Sequence, residues 1–181
     1  MTITEQIEDD VKRLDTYFRQ LFAMAQKASS KERSSVATSG EPEYFAHDVA
    51  AFIRPDMACN VYGLADFWLA KLCCFHKRKG HLALSHQDIK GASKLEEYHK
   101  YLTKVAALTL QSAQPSYDHL DNLRKVRNCL IHGGGHIPEG RSKIEQIPGI
   151  TVSGSLVIVA DSFVWDSLHH AKSYLCEVAQ A

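Results

Sequence analysis

Ile7, Val11, Leu14, Phe18, Leu21 and Phe22 recur at spacings of three and four along residues 3–28. A helix with 3.6 residues per turn gathers such positions into one stripe, so this segment is expected to be a long amphipathic helix that needs partners for its apolar face. Thr2 and Glu5 stand at capping-box spacing at its start. Val61, Leu64, Phe67, Trp68, Leu69, Leu72 and Phe75 make the segment over about 56–77 a strongly apolar helix, expected to be central. A shorter helix is expected over 43–53, ending near Pro55, because proline inside a helix removes a hydrogen bond and clashes with the preceding turn. Ser93 and Glu96 give a second capping-box spacing and a helix over about 94–111, and Pro115 and Ser116 open another.

Two segments break the helical pattern. "SSKERSSVATSGEPE", residues 29–43, is polar and serine-rich and reads as a flexible loop. "GITVSGSLVIVA", residues 149–160, is β-branched and interrupted by Gly154, so a β-hairpin is expected over 149–159. A closing helix then begins at Asp161 or Ser162. The sum over residues 1–181 is one all-α domain, a bundle of four to six helices with a small β-hairpin before the C-terminal helix.

Lys and Arg number 21 and Asp and Glu number 21, so no global basic field draws this chain onto nucleic acid, and any such contact must be local. No charged-then-apolar leader opens the sequence and no apolar run approaches membrane-spanning length, which gives a cytoplasmic expectation with no membrane partner. Cys59, Cys73, Cys74, Cys129 and Cys176 are odd in number and lie in apolar helical surroundings, as expected of reduced thiols.

The chemistry concentrates in "RKVRNCLIHGGGHI", residues 124–137, a helix end stopped by Gly133, Gly134 and Gly135. By letter, His132 to Gly135 match an oxyanion-hole loop, but no Gly-x-Ser-x-Gly elbow accompanies them, so the glycines read as a helix stop. Cys73, His76, His81, His86, His132 and His136 make only fragments of a zinc pattern, so no metal ligand is assigned; Cys73 and Cys74 are expected in the core and His76 at the surface. Lys77, Arg78 and Lys79 suit a helix C-terminus and are also candidate phosphate contacts.

On a helical projection Leu120, Leu123, Val126, Leu130 and Ile131 form one broad apolar arc. Arg127 falls inside that arc, while Asn128 and His132 share the adjoining polar flank with Arg124 nearby. A guanidinium on an apolar face is costly unless it meets an acid, a polar wall or a phosphate. Two readings follow: a structural ion pair or snorkelling arginine, or an arginine facing a cleft that receives an anion. The second suits RNA cleavage without metal, since histidine can serve as acid or base and arginine can hold the phosphorane. One histidine cannot easily do both jobs in a single step; two copies about a two-fold axis can divide them. In that arrangement Leu120 and Ile131 are expected at the dimer interface.

"RNCLIH", Arg127 to His132, resembles the Arg-polar-x-x-x-His signature of HEPN domains, small helical bundles common in prokaryotic toxin–antitoxin, abortive-infection and CRISPR systems. The layout over roughly 43–180 is similar to theirs as well. The resemblance implies a metal-independent endoribonuclease with no cofactor. It also implies a homodimer around one cleft, an RNA substrate, and an antitoxin or defence-system protein as a further partner. It makes Arg127 and His132 catalytic and Asn128 supporting; Arg124, Lys125, His136, Lys77, Arg78 and Lys79 are candidate RNA contacts. Toxins of this kind that a nucleotidyltransferase silences often carry a tyrosine two residues after the histidine; Gly134 stands there in this chain, so that control is not implied. The alternative function is a non-catalytic HEPN module acting in assembly or nucleotide binding.

Overall fold

The computed structural model describes residues 1–35, 42–137 and 143–181. Among these, five helices run in chain order: α1 (Ile3–Ser35), α2 (Pro42–Lys79), α3 (Lys94–Lys100), α4 (Gln114–His132) and α5 (Asp161–Gln180). A hairpin of β1 (Ile150–Ser153) and β2 (Leu156–Val159) precedes α5. The fold is the expected all-α bundle with a β-hairpin before its last helix.

The core lies where α1, α4 and α5 meet α2. Ile7 and Phe18 of the α1 stripe are buried there together with Val61 and Leu72 of α2 and Val164 and Leu175 of α5. Polar groups at the seams are also partnered: Trp68 Nε1 donates to Asp10 of α1 at 3.1 Å, and His76 Nε2 meets the Val178 carbonyl of α5 at 2.8 Å. No described helix is long and apolar enough to cross a membrane.

Four local expectations need correction. The helix expected to end near residue 28 continues to Ser35, so residues 29–35 are helical; positions 36–41 lie outside the described residues. The polar stretch lacks a stripe but contains Lys, Glu and Arg, good helix formers that extend an already nucleated helix at little cost. The helices expected over 43–53 and 56–77 are one helix that passes through Pro55. An interior proline costs about 3 kcal/mol. Met57 and Val61, fully buried just beyond it, contribute about 1.5–3 kcal/mol each by leaving water, which offsets that cost.

The helix expected over 94–111 ends at Lys100 and passes into a π-helical turn, Tyr101–Val105, whose closing bond runs from Ala106 N–H to the Tyr101 carbonyl at 2.9 Å. The wider turn lets the adjacent Tyr101 and Leu102 both be fully buried. Finally, His76 is buried rather than exposed, and of the two neighbouring thiols only Cys73 is in the core while Cys74 faces solvent. Burial pushes the Cys73 thiol up to about 12, so it stays protonated.

The hairpin falls where the β-branched run predicts. Ile150 pairs with Val159 and both face the core, while Thr151 and Ile158 pair on the outer face. Gly149 starts it at φ +79°, in the left-handed region, and a Cβ there would lie 2.9 Å from that of Phe163.

Candidate functional site

Pro115 sits in the first turn of α4, where its missing N–H costs nothing. Ser116, Leu120, Leu123 and Val126 bury one face of the helix. The arc then opens: Leu130 is half-buried and Ile131 is 50% exposed. The glycines end the helix as expected. Gly133 and Gly135 both donate to the Cys129 carbonyl, at 2.9 and 3.1 Å, and Gly134 and Gly135 have φ of +58° and +80°. The exit is anchored to the hairpin, since Ile137 N–H donates to the Ser155 carbonyl and Val157 N–H to that of Gly135, each at 2.8 Å.

This framework sorts the cations of α4. Arg124 and Lys125 both pair with Asp121, at 2.8 and 2.9 Å. Burial pushes the Asp121 carboxyl up, but the bonds from Lys125 and Arg124 outweigh it and hold it below the usual range. Arg127 differs. It is half-buried, and among the described residues no carboxylate pairs with it. Its Nη1 donates to Asn128 Oδ1 at 3.2 Å, and its guanidinium lies 5.8 Å from the ring centre of Tyr62 on α2. Its charge also reaches the half-buried Cys59 of α2, whose thiol burial raises while Arg127 pulls it down. The structural ion pair considered for Arg127 is therefore not present among the described residues.

Asn128 holds the guanidinium, not the histidine. His132, the last residue of α4, is exposed, and its side chain makes no hydrogen bond among the described residues. It stands five positions on from Arg127, so the two side chains leave the helix axis about 140° apart. One copy of α4 does not present both on one face.

The remaining candidates are dispersed. His136 Nδ1 meets Ser155 Oγ at 2.9 Å, which ties this ring to the hairpin. Lys77, Arg78 and Lys79 end α2, about 15 residues and so about 23 Å along the axis from Tyr62. They do not join the Arg127 site, and Lys79 lies over Phe75 at 5.9 Å. Leu120 is fully buried within the subunit and so is not available to a dimer interface, contrary to expectation, whereas Ile131 is. Leu156 and Ile158 on the outer face of β2 add exposed apolar surface, and Leu156 packs beside Gly135 at the α4 exit. Among the described residues no group of three or more His, Cys, Asp and Glu side chains is placed to hold a metal ion.

Tyr62, Cys59 and Asp121 complete the surroundings of the motif and were not singled out from the sequence. Tyr62 and Cys59 lie more than sixty positions from Arg127, and no local spacing links them. No protein-family model matches the chain, and neither a curated protein nor a solved structure does.

Proposed function

We propose that this chain is a metal-independent endoribonuclease of the HEPN type, acting as a homodimer and serving as a toxin or effector in a prokaryotic toxin–antitoxin or anti-phage system. The observation that carries the reading is the state of Arg127: a half-buried guanidinium with no carboxylate among the described residues, braced by Asn128 and Tyr62, on the same helix as an exposed histidine at its end. Its neighbours Arg124 and Lys125 are neutralised by Asp121, so the arrangement leaves one cation of the three for an external anion.

In the proposed reaction the 2′-oxygen of RNA attacks phosphorus as one His132 removes its proton. The P–O5′ bond breaks as the second subunit's His132 delivers a proton to the leaving oxygen, and the Arg127 guanidinium stabilises charge on the phosphorane. The products are a 2′,3′-cyclic phosphate and a 5′-hydroxyl. The angular divergence of Arg127 and His132 favours a cleft built from two helices, and exposed Ile131, Leu156 and Ile158 supply apolar surface beside it.

The same apolar surface also suits a non-catalytic assembly module. Sequencing of RNA ends after induced expression separates the two. Catalysis predicts new 5′-hydroxyl ends with wild type and none with His132→Ala; identical end profiles for the two proteins would favour the assembly module.

A further inference from the structure

The seam between α4 and α5 contains a reciprocal arrangement of histidine and serine. His119 of α4 reaches across, its Nε2 meeting Ser167 Oγ of α5 at 2.9 Å. His170 of α5 reaches back, its Nδ1 meeting Ser116 Oγ of α4 at 3.1 Å. The two imidazoles stack between these bonds, 4.5 Å between ring centres and 25° from parallel. Both serines are buried, and the Phe163 ring lies 5.5 Å from that of His119.

This geometry tolerates at most one charged ring, because each serine hydroxyl can also accept from a protonated nitrogen. A neutral imidazole has one nitrogen that accepts and one that donates, and a hydroxyl can satisfy either. Two imidazolium ions stacked at this distance repel one another with no water between them. We propose that the crossed His119–Ser167 and His170–Ser116 pairs form an acid-sensitive latch, which holds the helix carrying Arg127 and His132 against α5 only while at least one of the two rings is neutral.

The charged surroundings reinforce this. Burial lowers His119 to about 4, helped by His170 and opposed by Asp166 of α5. Burial lowers His170 as well, helped by His169 and opposed by Asp166. The charged and titratable groups that act on the pair are the rings themselves with Asp166 and His169, all on α4 or α5. The closed latch therefore excludes a proton that the open one binds. With an open-state value of about 6.5 and His119 held to about 4 when closed, opening should rise roughly 30-fold between pH 8 and pH 5. The latch is independent of the reaction assigned to Arg127 and His132, because it is read by hydrogen exchange rather than by cleavage.

The test is amide hydrogen exchange of α4, corrected for the intrinsic pH dependence, in wild type and in the double variant His119→Gln, His170→Asn. Glutamine reproduces a donor or acceptor near Nε2 and asparagine one near Nδ1, so both serines keep partners that do not titrate. His76, His86 and His99 titrate in both proteins, so the latch is read from the difference: wild type should lose roughly 30-fold more α4 protection than the variant from pH 8 to pH 5. An equal loss in both overturns the latch. Should the variant not fold, NMR of the wild-type imidazoles decides. His119 must remain neutral in the folded protein down to about pH 5 while α4 protection falls. Titration of folded His119 near 6.5, or α4 protection unchanged at pH 5, overturns the proposal.

Discussion

Arg127 is the residue on which the functional reading turns, and its surroundings separate function from stability. Its contacts are a hydrogen bond to its own neighbour Asn128 and the face of Tyr62, so removing its charge strands no buried acid among the described residues. Arg127→Lys keeps the charge but loses the fork that grips two phosphate oxygens. It should cost about 10²–10³ in RNA cleavage, as expected for loss of one transition-state donor, with a stability change below about 1 kcal/mol in urea titrations. Equal cleavage by lysine would mean that the guanidinium makes no phosphate contact. Gly133 shows the converse. A Cβ there would lie 2.7 Å from the His136 carbonyl oxygen and 2.9 Å from that of Cys129, both backbone atoms that hold the helix exit. Gly133→Ala should therefore cost about 1–3 kcal/mol, and an unchanged urea midpoint would show that the exit relaxes freely.

At the scale of elements, what could be read from the sequence was what is local. The stripe of α1, the glycine stop of α4 and the alternation of the hairpin each follow from neighbours a few positions apart, and each stands where expected. Pro55 misled because its penalty is local while the burial that offsets it comes from α2 packing on α1 and α5. The helix expected over 94–111 overran because Ser93 and Glu96 mark only its start, while the π-helical turn at Tyr101–Val105 accompanies the burial of Tyr101 and Leu102. The motif itself was legible as Arg127 and His132, but its neighbours on α2 were not, since only tertiary packing brings Tyr62 under the guanidinium. The arc on α4 also divides in a way that a projection cannot show. Leu120 faces the subunit's own core and Ile131 faces solvent. Ile131→Asp should leave thermal unfolding nearly unchanged and weaken self-association in sedimentation over a concentration series. Leu120→Asp should unfold the chain, because an unpaired buried charge costs several kcal/mol. Self-association unaffected by Ile131→Asp would move the interface away from the α4 exit.

The whole molecule carries an acid limit. Burial lowers His76, His86, His99, His119 and His170 below the ordinary imidazole value, with His119 at about 4. In each case the unfolded chain takes a proton first as pH falls through about 6.5, so the unfolded state gains free energy from binding that the folded state does not share. Stability is therefore greatest above about pH 6.5 and declines progressively from there toward pH 4. Urea midpoints should fall between pH 8 and pH 5, and a midpoint that is constant or higher at pH 5 would contradict the burial of these rings. The bundle's proposed purpose is to bring two copies of α4 together so that Arg127 and His132, about 140° apart on one helix, act from two. The most direct measurement of that claim is the cleavage rate of RNA by purified wild type and His132→Ala in excess EDTA. The account predicts cleavage by wild type that leaves 2′,3′-cyclic phosphate ends, and a rate for His132→Ala lower by about 10²–10⁴. Equal rates for the two proteins, or a wild-type activity that EDTA abolishes and added Zn²⁺ or Mg²⁺ restores, would contradict it.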